Sequence, residues 1–141
     1  MSKVALTRPG TRPLPNPAGE AAAFWKGGRD GQLLIHRCGS CRRFFHPPAP
    51  SCFRCRSVDV APEPVSGRAT VATFTVDRHP WLDDFPPPYV VAIVELEEEP
   101  TARLTTNIVG CDVSDVFIGQ AVQVHFEQWD DVWIPVFAPV A

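Results

Sequence analysis

The chain has 141 residues, 45% of them hydrophobic, with 13 basic and 16 acidic side chains and a formal net charge of −3. That length suits one ordinary domain or a small metal module plus a compact domain, and no apolar run is long enough to cross a bilayer as a helix. Sixteen prolines and nine glycines argue against long helices, and the N-terminal MSKVALTRPG lacks an apolar leader region, so a reducing, cytoplasmic setting is expected.

Residues 1–15, with Pro9, Pro13 and Pro15 among few apolar side chains, read as an extended, flexible arm. Asn16 is a good N-cap and Pro17 suits a first helical position, so a short helix is expected over 17–26, carrying Phe24 and Trp25 and ending at Gly27-Gly28. Residues 32–37 then read as a strand that leads into the chain's most specific motif.

That motif is Cys38-Gly39-Ser40-Cys41 followed, after ten residues, by Cys52-Phe53-Arg54-Cys55. Each CxxC lets two thiolates converge on one ion, and four thiolates in a closed tetrahedron favour structural Zn²⁺ with no open position for water. The gap is shorter than the common double-knuckle spacing but long enough for a ribbon hairpin. Rubredoxin-type iron is the alternative; it usually has Gly after each second cysteine, where this chain has Arg42 and Arg56. His36 and His46 lie close to the knuckles, but four cysteines already fill the shell. Cys111, far away in an apolar segment, reads as a small buried hydrophobe.

Charge is unevenly spread around this motif. Arg37, Arg42, Arg43, Arg54 and Arg56 fall in a stretch without Asp or Glu, whereas from Ala69 to Ala141 only Arg78 and Arg103 are basic. The arginines could compensate the thiolate cluster, bind a phosphate group, touch a partner, or contact nucleic acid. The acidic second half argues against a nucleic-acid groove there, since base-stacking platforms need cations beside them.

Pro62 and Pro64 read as a linker that ends the ribbon, dividing the chain into 16–61, helix and zinc ribbon, and 62–141. Beyond Ser66-Gly67 five strands are expected: 68–77 with Ala72, Phe74 and Val76 on one face, 89–96, 103–109, 121–127 with Val122, Val124 and Phe126 inward, and 133–137. A turn or short helix near 112–118 separates the third from the fourth. The fold class is therefore mainly β, with a short helix, a rubredoxin-like ribbon and a five-stranded OB-fold barrel. The loop between the first two barrel strands holds Asp77, His79, Trp81, Asp83, Phe85 and Tyr89, side chains suited to acid/base pairing, ligand shielding or partner contact. His125 should face outward, and Glu95 with Glu97 to Glu99 should form a solvated strand end.

This order of parts resembles a family of acyl-CoA-associated zinc-ribbon and OB-fold proteins catalogued as domain of unknown function 35. The matching residues are Cys38, Cys41, Pro47, Pro48, Cys52, Cys55, Ser66, Gly67, Thr70, Val71, Pro88, Tyr89 and Gly119, within residues 18–139. Arg42 and Phe53 depart from the family's usual Gly and Pro. The resemblance implies a non-catalytic accessory subunit with structural zinc, in a hetero-oligomer with a thiolase-like acyl-CoA aldolase or acyltransferase that carries the catalytic residues. It leaves open whether Asp77, His79, Trp81, Phe85 and Tyr89 border the partner's active site and whether the five arginines contact a CoA thioester. A single-stranded nucleic-acid-binding protein is the alternative reading.

Overall fold

The computed structural model describes residues 12–83 and 85–140. Most of the expected arm, residues 1–11, lies outside the described residues.

The N-terminal helix is shorter and placed later than its sequence signals imply. A 3-10 turn at Gly19–Ala21 leads into α1 (Ala22–Lys26), and a second 3-10 turn covers Gly27–Asp30. Asn16 does not cap it: Ala18 is extended, Gly19 has φ +62°, and no side chain caps either segment. Nor do Gly27 and Gly28 end the helical run. They continue it, because Gly31 at φ +72° provides the left-handed stop and donates its N–H to the Gly27 and Gly28 carbonyls. Gly28 is required by packing, since a Cβ there would meet Trp133 and Phe126 of the barrel. Lys26 Nζ adds a second tie, reaching the Asp131 carbonyl at 2.7 Å and its carboxylate at 3.1 Å.

The ribbon sheet has three antiparallel strands in the order β2 (Phe44–Phe45), β1 (Leu33–Cys38), β3 (Val60–Val65). The Pro62/Pro64 segment is thus a strand and not a linker: Pro62 pairs with His36 and Pro64 with Leu34. Proline is tolerated because β3 is an edge, where alternate backbone nitrogens need no partner.

Five strands close a barrel in the order β4 (Arg68–Asp77), β5 (Tyr89–Leu96), β6 (Arg103–Ile108), β8 (Val132–Pro139), β7 (Ala121–Trp129). β6 and β8 run parallel and the other neighbours antiparallel, the OB-fold arrangement. The expected turn between the third and fourth strands is a 3-10 turn at Val113–Asp115, capped by the Asp112 carboxylate.

Two strands depart from simple alternation. In β4 a bulge between Val71 and Thr73 changes which residues point inward. Ala69 and Val71 are buried before it, and Phe74 and Val76 pack on the core after it. In β7, Val122 and Val124 are buried as expected, but Phe126 is only half-buried, whereas Glu127 and Trp129 on the other face are 7% and 4% exposed. Both faces are covered there, because Phe126 meets the Gly28 segment while Trp129 lines a groove.

One apolar core runs through both parts. Phe24, Leu33, Ile35 and Phe44 join Val71, Val94, Val122 and Phe137 in a continuous buried cluster. Cys111 is half-buried against it, with burial the leading cause of its raised thiol pKa. No helix among the described residues is long and apolar enough to cross a membrane.

Candidate metal centre and adjoining groove

β1 delivers Cys38 to the end of the ribbon sheet, and the two knuckles bring Cys41, Cys52 and Cys55 to it. All four sulfurs lie within 4.8 Å of one another. The shortest pairs are Cys38 to Cys55 at 3.5 Å and Cys41 to Cys52 at 3.7 Å. A tetrahedral Zn²⁺ with Zn–S bonds of about 2.3 Å needs sulfurs about 3.8 Å apart, so the donor set fits the ion.

The two knuckles share one backbone pattern. Arg42 N–H donates to the Cys38 carbonyl at 3.0 Å, and Arg56 N–H to the Cys52 carbonyl at 2.9 Å. Cys38 N–H reaches the Arg43 carbonyl and Cys52 N–H the Ser57 carbonyl, both at 2.9 Å. This turn requires a left-handed residue after the second cysteine, and Arg42 and Arg56 both have φ +64°. The arginines therefore adopt the conformation that glycine would take, so they do not themselves separate zinc from iron.

Amides also favour thiolate. Cys38 is lowered to about 6, first by the Cys41 N–H, and Cys52 is lowered, first by the Cys55 backbone. Cys55 feels a lowering hydrogen bond from the Ser57 backbone, yet the neighbouring cysteine sulfurs and burial together push it up to about 11. Sulfurs only 3.5 Å apart disfavour two neighbouring thiolates, a repulsion that a cation among them would relieve.

The five ribbon arginines do not form one basic patch. Arg37 lies 3.5 Å from Glu63, stacks over Phe44, and donates to the Arg42 carbonyl. Arg42 approaches the same Glu63 at 4.0 Å, and Arg43 pairs with Glu99 of the barrel at 3.5 Å. Arg54 and Arg56 are exposed on the second knuckle, near exposed Phe53 and Val58, with no ion pair among the described residues. Sequence alone could not show this, because Glu63 and Glu99 lie outside the basic stretch.

The first barrel loop divides into two groups. Asp77 accepts the His79 backbone N–H and the Tyr89 hydroxyl, both at 2.9 Å, and its pKa is lowered, first by the His79 amide. Asp77 is thus engaged by a backbone N–H and a hydroxyl, and its contact with His79 runs through the His79 amide. The His79 ring instead lies 4.2 Å from Trp81, which is 69% exposed, while Phe85 packs inward on Tyr89 at 4.4 Å. Phe85 lines the barrel groove, and Trp81 is not among the residues that line it. His36 is buried with its Nε2 3.4 Å from Glu20, outside the sulfur cluster, and His125 is half-buried.

Phe85 and Tyr89 help line a groove of about 620 Å³, with Trp25, Leu104, Trp129 and Ile134 among its apolar walls. Arg12 to Pro15 form one side. Sequence reading missed two residues here. Glu127 accepts the Trp129 indole N–H at 3.1 Å, and its pKa is raised, chiefly by burial. The available signal was a glutamate two positions from a tryptophan in a strand, which simple alternation placed outward.

Ribbon, barrel and cysteine cluster define the chain as a zinc-ribbon/OB-fold protein. Family models match it as the rubredoxin-like zinc ribbon domain of ChsH2 over residues 25–60 and the C-terminal OB-fold domain of ChsH2 over 62–127. A DUF35 domain-containing scaffold protein of Methanocaldococcus jannaschii is 37% identical over 108 residues, covering 74% of each chain. The solved structure titled Ltp2-ChsH2(DUF35) aldolase includes a chain 36% identical, with a TM-score of 0.77, covering 92% of this chain and all of that one. A probable enoyl-CoA hydratase alpha subunit of Thermomonospora curvata is 36% identical over 129 residues, but the chain spans only 40% of that relative's length. The chain belongs to the DUF35 family, and its four clustered cysteines are the zinc site of a rubredoxin-like ribbon.

Proposed function

We propose that the chain is a non-catalytic accessory subunit that binds and stabilises a thiolase-fold acyl-CoA enzyme in a hetero-oligomer. The partner is an aldolase or acyltransferase of steroid side-chain or lipid metabolism, working in the cytoplasm. The observation that carries this reading is the full-length match to the DUF35 chain of an aldolase. The metal chemistry is consistent with it: four thiolates close the zinc shell, so the ion supplies folding energy and leaves substrate activation to the partner.

Within this reading, Arg54 and Arg56 are the side chains for a CoA phosphate or an acidic partner surface, because Arg37, Arg42 and Arg43 already face Glu63 or Glu99. Exposed His79 and Trp81 face the partner, and Phe85 and Tyr89 border the entrance to its site. Co-expression with a thiolase-fold candidate, size-exclusion chromatography and an acyl-CoA cleavage or transfer assay test the proposal. Co-elution, with activity lost when this chain is omitted, is expected. A candidate fully stable and active alone, which never co-elutes with this chain, would overturn it.

A further inference from the structure

Among the described residues, Arg12 links the arm to the first barrel loop. The Arg12 guanidinium carbon lies 4.0 Å from the centre of the Phe85 ring and 4.3 Å from that of Trp129. Trp129 is held in turn by Glu127, and the Arg12 charge acts on the Glu127 carboxylate. A guanidinium suits this place better than an ammonium, because it is flat, weakly hydrated and stacks on aromatic faces.

We infer that the Phe85 and Trp129 rings form a socket for the Arg12 guanidinium, so that residues 12–15 are a strap latched across the barrel groove. Behind the strap the walls are apolar, from Trp25, Val91, Leu104 and Ile134. The groove therefore takes an uncharged apolar group, and the strap covers one side of it. Leaving the socket uncovers the Phe85 and Trp129 rings, so the strap rests closed.

The inference concerns this chain alone and stands apart from the partner reading, whose failure would leave it intact. The test is NMR of the zinc-loaded full chain. In the wild type, ring currents should shift the Arg12 side-chain protons upfield, and Leu14 methyl groups should show nuclear Overhauser effects to Leu104 or Ile134. Arg12→Ala should abolish the Leu14 contacts and raise fluorescence of the uncharged apolar probe Nile red severalfold. Phe85→Leu, which keeps an apolar side chain but removes one ring, should sharply reduce the Arg12 shift. Because position 12 precedes the core, Arg12→Ala tests the latch without threatening the barrel. Wild-type Arg12 protons at random-coil positions, or Leu14 contacts that survive in Arg12→Ala, would overturn the inference.

Discussion

Replacing His46 with Phe should make the protein markedly less sensitive to mild acid. His46 lies under α1, with its ring 4.7 Å from Phe24, and its buried Nδ1 has no hydrogen-bond partner among the described residues. Burial, with a smaller contribution from His36, lowers its pKa from 6.5 to about 4. The folded state thus binds fewer protons here than the unfolded state between those two values. Its stability is fully present above pH 6.5 and is lost as pH falls toward 4. At pH 5 the unfolded ring is almost fully protonated and the folded ring about one-tenth so, a loss of about 2 kcal/mol that approaches roughly 3 kcal/mol at pH 4. Phe keeps the ring against Phe24 and removes both the proton and the unpaired nitrogen. The assay is urea unfolding of zinc-loaded wild type and His46→Phe at pH 7, 6 and 5. Because acid weakens the zinc site in both proteins, only the difference between them is read. That difference should widen by about 2 kcal/mol between pH 7 and 5. Parallel pH dependences would refute the account of a histidine buried neutral.

Cys38→Ser should unfold the ribbon, since the metal site is the main source of order around Cys52 and Phe45; loss of bound zinc and of near-UV circular dichroism would show it. Arg56→Gly should stabilise the chain by roughly 0.5–1 kcal/mol, because glycine takes φ +64° without Cβ strain and the arginine has no ion pair to lose among the described residues; chemical denaturation with zinc present checks the sign. Gly28→Ala should cost about 1–3 kcal/mol by driving a methyl into Trp133 and Phe126, read as a lower unfolding midpoint with altered tryptophan fluorescence.

The zinc centre was legible because its chemistry depends on four residue types at a local spacing, and the barrel because alternation survives in most of β5, β6 and the first half of β7. What sequence reading missed depends on covering from outside the element concerned. Pro62 and Pro64 signal a break, but an edge position in the ribbon sheet makes them strand residues. Glu127 reads as outward until Trp129 and the Arg12 segment cover that face. Asp77 and His79 have the composition of an acid/base pair, yet the carboxylate is occupied by a backbone N–H and the Tyr89 hydroxyl. Likewise, the helix signals at Asn16-Pro17 are outweighed by the positive φ of Gly19 and the docking of Gly28 on the barrel.

The joint between β3 and β4 is only Ser66-Gly67. Val65 is still paired with Leu33 in the ribbon sheet, and Arg68 is already paired with Gln123 in the barrel. Gly67 has φ +79°, a Cβ there would strike Val124, and its carbonyl accepts the Val124 N–H at 2.9 Å. A joint this short leaves no slack between the ribbon sheet and the barrel, and Gly67 is locked against Val124. Metal loading therefore fixes the orientation of the knuckle that carries Phe53, Arg54 and Arg56 relative to the barrel. Inserting two or three flexible residues after Ser66 would leave zinc bound and the barrel folded, and the ribbon would stay docked through Phe24, Leu33, Ile35 and Phe44, with only the joint itself loosened.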